Sequence, residues 1–133
     1  MILLDTHTLV WWLSDPRRVP AKARRLIDGA AREKGTLAVS SISVWEIAML
    51  VEHRRLELSV SVDTWLAHVE ALPFLTFVPV DNRITVRAVQ LEKFPARDPA
   101  DRLIVATAMG LHATLVTADK RLRSYRLVPT VWN

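Results

Sequence analysis

Residues 97–108, with the sequence RDPADRLIVATA, predict the first turns of a buried helix. Asp98 is a good N-cap, and Pro99 suits the first helical position, where its missing N–H costs nothing. Asp101 falls three residues after Asp98, so two carboxylates share the start of a helix that is otherwise apolar on nearly all sides. A carboxylate at a helix N-terminus is stabilised by the helix dipole, which explains the presence of one acid well and of the second less well. This turn is therefore a candidate functional site.

Outward from that helix, short apolar runs alternate with helical patterns along the 133 residues. The predicted strands lie at 1–5, 37–39, 74–80, 113–117 and 127–131. The predicted helices lie at 6–13, 20–33, 42–53, 62–72, 81–93 and from 99 onward, with a short helical turn at 120–125. Pro79 within the third predicted strand indicates an edge strand or the end of a strand. This alternation predicts one domain over residues 1–133 with an α/β fold, in which three α/β/α layers surround a mostly parallel sheet of about five strands.

The composition argues against several classes of protein. The chain has no cysteine, which removes disulfides, thiolate nucleophiles and cysteine-based zinc sites. No apolar run is long enough to span a bilayer, and the short run 1–4 is not a signal peptide, so we expect a cytoplasmic protein without a membrane anchor. The net charge of +4 is compatible with a polyanionic partner without demonstrating one. No glycine-rich phosphate loop is present, which disfavours an enzyme acting on nucleoside triphosphates.

Four acids from distant segments are predicted to meet at one edge of the sheet. Asp5 ends the first strand, Asp119 follows the fourth, and Glu46 lies on the helix entered from the second. Asp101 opens a helix antiparallel to the strands, so its first turn reaches the same carboxyl-end edge. Taken singly, each acid is more readily explained as a turn, cap or exposed helix residue. Their convergence favours an all-oxygen Mg²⁺ or Mn²⁺ site and metal-assisted phosphodiester hydrolysis.

Four motifs, in order and across essentially the whole chain, resemble those of the PIN-domain ribonucleases. They are LLDTH at 3–7, SISVWEI at 41–47, DPADRLI at 98–104 and LVTAD at 115–119. The most similar group is the VapC-type toxins of bacterial toxin–antitoxin pairs. This resemblance implies a PIN fold and an Mg²⁺- or Mn²⁺-dependent endoribonuclease whose substrate is tRNA or another structured RNA. It also implies a homodimer and a cognate VapB-like antitoxin.

The resemblance also assigns roles to individual residues. It implies that the catalytic and metal-binding acids are Asp5, Glu46, Asp101 and Asp119, with Asp98 as an additional candidate ligand. Thr6 and Thr117 are candidates for contacts to those acids or to the substrate. One departure is Ala96, because close relatives often carry a histidine there, two residues before the aspartate of the Asp-Pro run. If that histidine contacts RNA in those relatives, the contact is missing in this chain.

Two roles are possible for each cationic residue beside the acids. Arg102 is predicted either to pair with Asp98 or Asp101 or to contact a phosphate of the substrate. Lys120 and Arg121 are candidates for contacts to an RNA backbone, although a solvated turn is the simpler explanation.

The aromatic residues are expected mainly in the core. Trp45 and Trp65 lie in or beside helical stripes, for which core packing is the default. Trp11 and Trp12 cannot both face one core, because adjacent helix positions point about 100° apart. One of these two is therefore predicted at a surface that a partner covers.

Two alternative functions stay open at this point. A non-catalytic PIN-fold module that binds RNA or protein predicts no affinity for divalent metal and no effect of an Asp5→Asn change. A DNA flap nuclease uses the same chemistry, but it needs basic arches or DNA-binding additions for which 133 residues leave little room.

Overall fold

The computed structural model describes residues 1–133 and contains one five-stranded, fully parallel sheet. Its strands are β1 (Ile2–Leu4), β2 (Leu37–Ser40), β3 (Thr76–Val78), β4 (Thr114–Val116) and β5 (Thr130–Val131). Their order across the sheet is β3-β2-β1-β4-β5. The predicted α/β class is confirmed, and β3 is an edge strand, as Pro79 predicted.

Seven α-helices connect the strands. They are α1 (Thr6–Ser14), α2 (Ala21–Ala31), α3 (Ser41–Glu52), α4 (Val62–Glu70), α5 (Asn82–Val89), α6 (Pro99–Leu111) and α7 (Lys120–Arg123), with a 3-10 turn at Pro16–Arg18. No helix is both long and apolar enough to cross a membrane.

The sheet separates two hydrophobic cores, which is what makes three layers. Alternate residues of a strand point to opposite faces. In β1, Leu3 belongs to the core that includes α6, whereas Leu4 belongs to the core that includes α1 and α2. Strand β2 is completely buried, and β1 and β4 are buried apart from their first residues, which accounts for the continuous apolar runs in the sequence.

Several elements are shorter than predicted, and α5 and β5 show a physical reason. Helix α5 ends at Val89 instead of continuing to Lys93, which adopts a positive φ of 52°. The guanidinium of Arg102 donates hydrogen bonds to the carbonyls of Ala88 and Leu91. It thereby satisfies backbone carbonyls at the end of the helix. Strand β5 pairs over only two residues, because Pro129 contributes a carbonyl to β4 but has no N–H to donate.

The strand order creates a switch point between β1 and β4. The chain passes from β1 to β2 on one side, while β4 lies against β1 on the other side. Ligand sites of open parallel sheets form at such a point, outside the carboxyl ends of the strands. Asp5 follows β1 directly, and Asp119 follows β4 within three residues, so both acids lie at this point.

Candidate active site

A cleft of about 370 Å³ opens at the switch point, and we call it the acidic cleft. All five acids predicted from the sequence line it, which brings together residues from four separate segments of the chain. The complete lining is Asp5, Thr6, His7, Trp11, Glu46, Asp98, Asp101, Ala118, Asp119 and Arg121.

Three of these acids are also helix N-caps. Asp5 Oδ1 accepts from the N–H of Thr6 at 2.9 Å, and Asp98 Oδ1 accepts from the N–H of Ala100 at 2.9 Å. Asp119 caps α7 in the same way. The capping explanation is therefore correct for these three acids, yet it does not account for Glu46 or Asp101, which cap nothing. Each capping carboxylate keeps a second oxygen for other partners.

Asp5 is held deep in the cleft by a threonine from the neighbouring strand end. The hydroxyl of Thr117, itself completely buried, donates to Asp5 Oδ2 at 2.6 Å. The same Thr117 oxygen accepts from the backbone N–H of Asp119 at 3.0 Å. Burial raises the pKa of Asp5 even though the hydrogen bonds from the Thr117 hydroxyl and the Thr6 N–H favour its charged form.

Glu46 is oriented by a pair of buried hydroxyls. Thr6 Oγ1 donates to Glu46 Oε1 at 2.7 Å and lies 2.9 Å from Ser43 Oγ. Because a threonine hydroxyl carries one proton, Ser43 serves as the donor to Thr6 when Thr6 donates to Glu46. Burial raises the pKa of Glu46, and the charges of Asp5 and Asp98 add to the rise.

Ser43 was not among the predicted site residues. Its position three residues before Glu46 places both side chains on one face of α3, and this spacing is the signal that would have identified it.

Asp101 and Asp119 share the guanidinium of Arg121. Arg121 Nη2 lies 2.9 Å from Asp119 Oδ2 and 3.6 Å from Asp101 Oδ2. The hydrogen bond from Arg121 lowers the pKa of Asp119. The Asp101 side chain is only 12% exposed, and burial, followed by the charges of the other four acids, raises its pKa to about 7. The two explanations predicted for Arg121, a contact to an RNA backbone and a solvated turn, did not include this ion pair with the acids.

Arg102 does not reach the acidic cleft. Its Nη1 donates to the carbonyl of Ala88 at 2.9 Å, and its guanidinium lies 5.1 Å from the ring centre of Phe94. The predicted ion pair with Asp98 or Asp101 is absent, because successive helix positions point about 100° apart and Arg102 faces α5. Arg102 therefore joins α6 to the end of α5.

The tryptophans also differ in part from the prediction. Trp45 is 56% exposed and lies outside the core, so its predicted burial is wrong, whereas Trp65 packs partly buried against the core. Trp12 donates to Asp28 at 3.1 Å, and Trp11 turns towards the acidic cleft.

The donors of the acidic cleft match a divalent cation in kind. As the side chains stand, no three acidic or histidine residues are arranged to enclose an ion. Five carboxylates nevertheless face a single cation from the chain, Arg121, and three of them have raised pKa values. Oxygen donors that lack counter-charge suit Mg²⁺ or Mn²⁺, which would relieve this repulsion. The residues that could hold such an ion are Asp5, Glu46, Asp101 and Asp119, with Asp98 beside them.

Comparison with known proteins places the chain in a family. The PIN domain family matches residues 2–127. Ribonuclease VapC22 from Mycobacterium tuberculosis is 38% identical over 133 residues, covering 98% of both chains. VapBC2 from Rickettsia felis, solved bound to a DNA fragment from its promoter, aligns over 100% of both chains with a TM-score of 0.73 and 21% identity. DNA-bound VapBC from Salmonella typhimurium aligns over 98% of this chain and 96% of its own, with a TM-score of 0.70 and 19% identity. The chain is a member of the PIN-domain family and is similar to VapC-type proteins over nearly its whole length.

Proposed function

We propose that this protein is the toxin of a type II toxin–antitoxin system and acts as a divalent-metal-dependent endoribonuclease. The observation that carries the proposal is the convergence of five carboxylates in one cleft at the switch point of a parallel sheet. The 38% identity to a protein named a ribonuclease supports RNA as the substrate, and a structured RNA such as tRNA is our expectation.

In this proposal the four acids Asp5, Glu46, Asp101 and Asp119 hold Mg²⁺ or Mn²⁺, and Asp98 adds negative charge at the cleft. The bound ion supplies Lewis-acid stabilisation of the phosphodiester and activation of water near neutral pH. Thr6 and Thr117 act as positioning residues, because their hydroxyls fix one oxygen each of Glu46 and Asp5. Both hydroxyls are buried, so water does not compete for these hydrogen bonds.

Arg121 has a separate task in the proposed reaction. Its side chain is 56% exposed at the mouth of the cleft, where it is the only cation among the lining residues. Asp119 and Asp101 would hold the metal ion, and the guanidinium of Arg121 would then be available to a phosphate oxygen.

The test is RNA cleavage by the purified protein, with Mg²⁺ or Mn²⁺ against EDTA. Asp5→Asn is the test variant, because asparagine keeps the N-cap but removes the charge. Glu57→Gln, in an exposed loop, is the matched control. We expect cleavage that needs metal, is lost in Asp5→Asn and persists in Glu57→Gln. Cleavage that survives both EDTA and the substitution would come from a contaminant.

The alternative is a non-catalytic PIN-fold module that binds RNA or protein. Titration of Mn²⁺ followed by electron paramagnetic resonance separates the two functions. Absence of Mn²⁺ binding would favour the module, whereas binding that weakens from about pH 8 to about pH 4.5 supports carboxylate ligands.

We further propose a VapB-like antitoxin as the inhibitory partner, a homodimer as the assembled toxin, the cytoplasm as its location and residues 1–133 as a single PIN domain. Apolar side chains that are more than half exposed offer contact area for a dimer or an antitoxin; they are Trp45, Val86, Val89 and Leu127. Light scattering of the toxin alone and co-expressed with its candidate antitoxin tests both assemblies. A monomer that forms no complex would overturn them.

A further inference from the structure

A second cleft, of about 490 Å³, is lined by cations, and we call it the basic cleft. Its lining is Lys22, Lys120, Arg123, Ser124, Thr130, Val131, Trp132 and Asn133. No aspartate or glutamate lines it, and none of its three cations forms an ion pair. Lys22 and Lys120 are exposed, while Arg123 is fixed by donating to Asn133 Oδ1 at 2.9 Å. This cleft therefore presents uncompensated positive charge.

Aromatic side chains link the two clefts. Trp11 lines the acidic cleft, and its ring centre is 5.9 Å from that of Trp132, which lines the basic cleft. The guanidinium of Arg18 lies 4.4 Å from the ring centre of Trp11. Both tryptophans are half-buried and pack against the core, so their rings are held in place with part of their surface exposed. Lys120 follows Asp119 directly and provides a second connection between the clefts.

The acidic cleft alone is a poor site for a polyanion. It carries five carboxylates against one guanidinium, and an RNA backbone brings further negative charge. The attraction that holds RNA must therefore come largely from cations outside this cleft. The basic cleft is adjacent and supplies three of them.

We propose that the basic cleft binds the backbone of single-stranded RNA next to the scissile phosphate, with one base stacked on Trp132. This proposal rests on the proposed ribonuclease function. Unpaired lysines and an arginine suit phosphates, and the exposed part of an indole ring can stack on any base. A duplex keeps its bases inside the stack and cannot offer one to Trp132, whereas a loop or a single strand can. The strand then runs from the basic cleft past Trp132 and Trp11 into the acidic cleft.

The test is a binding measurement in a protein that does not cut. Fluorescence anisotropy follows a labelled single-stranded RNA of about 12 nucleotides, within the range of single-strand site sizes. The protein carries Asp5→Asn throughout and the buffer contains EDTA. The variants are Lys22→Gln, Lys120→Gln and Trp132→Leu. The matched controls are Lys34→Gln, an exposed lysine in the turn before the amino end of β2, and Trp45→Leu, the most exposed tryptophan.

The charge variants and the aromatic variant have different expected signatures. Each lysine change should weaken binding about three- to tenfold and reduce the slope of log affinity against log salt by about 0.7. Trp132→Leu should weaken binding about tenfold and leave the salt slope unchanged, because stacking releases no counterions. Trp132→Phe should recover most of that loss, since phenylalanine also stacks. Thermal melts of every variant establish that the fold is retained.

Three results would overturn the proposal. The first is binding by the three variants that matches the controls. The second is equal affinity for a duplex of the same sequence, because that would remove the stacked base. The third is a Lys22→Gln variant that loses antitoxin binding but keeps RNA binding, which would assign the cleft to a protein partner. Failure of the ribonuclease function is seen separately, as absence of metal-dependent cleavage by the unsubstituted protein.

Discussion

The acids of the acidic cleft form two groups that differ in pKa, which we call the α7 wall (Asp119 with Arg121) and the buried wall (Asp5, Glu46 and Asp101). On the α7 wall, Asp119 is one quarter exposed and hydrogen-bonded by Arg121, which lowers its pKa. On the buried wall, the three acids are more deeply buried and have raised pKa values. Hydroxyls hold Asp5 and Glu46, but a hydroxyl supplies no charge. Arg121 thus offsets the charge of Asp119 and, at 3.6 Å, part of the charge of Asp101, whereas Asp5 and Glu46 have no ion-pair partner in the chain.

This difference has an energetic meaning. A buried carboxylate without a paired charge opposes folding, because the ionised form loses its hydration. The hydrogen bonds from Thr6 and Thr117 offset part of that cost but leave the mutual repulsion of the acids. The buried wall therefore lowers the free energy of unfolding, and we expect substitutions in the two walls to have different effects.

The largest expected effect is on catalysis by Asp101→Asn. Asparagine keeps the shape of the side chain but removes the charge of a proposed metal ligand. Loss of several kcal/mol of transition-state stabilisation corresponds to a decrease of about a thousandfold in kcat/KM. Single-turnover cleavage of RNA measures this, with Glu57→Gln as the control. Activity within tenfold of the unsubstituted protein would remove Asp101 from the metal-binding set.

The same substitution should stabilise the metal-free protein. The folded-state pKa of Asp101, about 7, exceeds the unfolded value of 3.8, so the folded protein binds more protons between these values. Its unfolding free energy therefore falls as pH rises from about 4 to about 7, and the penalty is complete above that range. We expect Asp101→Asn to gain about 1–3 kcal/mol at pH 8 and little at pH 4.

Urea unfolding in EDTA at pH 4, 6 and 8 measures that gain. If the gain in unfolding free energy of Asp101→Asn is the same at all three pH values, the charge of Asp101 is not its cause. On the other wall the sign is opposite: the contribution of Asp119 is lost as pH falls through its lowered pKa, so it does not interfere above pH 4.

Much of the fold could be predicted because its signals are local. Apolar runs such as 113–117 match strands buried on both faces, and Asp98-Pro99 marks the start of α6 within one residue. The convergence of the acids follows from topology, since Asp5 and Asp119 end neighbouring parallel strands. Side-chain partners were harder to predict. The direction of Arg102 depends on how α5 packs against α6, which no spacing within α6 specifies.

Arg121 and Trp45 illustrate the same limit. For Arg121 the sequence predicts an RNA-backbone contact or a solvated turn. Its approach to Asp101 depends on where that acid lies across the cleft, which the spacing from Asp119 does not specify. The sequence predicts Trp45 in the core because it lies beside the apolar stripe of α3. The buried positions of that helix are Ser43 and Ile47, which turn Trp45 towards solvent.

A smaller effect is expected when a positioning hydroxyl of the buried wall is removed. Thr6→Val keeps the volume but deletes the donor to Glu46 Oε1. Loss of a group that orients a metal ligand typically weakens metal affinity by about 10–100-fold. Isothermal titration with Mn²⁺ measures this. Thr85→Val is the control, because Thr85 is an exposed threonine whose hydroxyl bonds only within its own helix turn. Equal Mn²⁺ affinity in both variants would make Thr6 purely structural.

The smallest expected effect lies on the α7 wall, in Arg121→Gln. The guanidinium lies 2.9 Å from one proposed ligand and 3.6 Å from another, so it competes with a metal ion for both carboxylates. Its removal should raise Mn²⁺ affinity several-fold at low salt and lower the melting temperature in EDTA, because the acids lose their only nearby cation. The control is Arg123→Gln, which should leave Mn²⁺ affinity unchanged. Arg123 lies two residues further along the same short helix, and its guanidinium donates to Asn133. If Arg121→Gln instead weakens Mn²⁺ binding, the guanidinium positions Asp119 and Asp101 for the ion. The two walls would then form a single preorganised metal site.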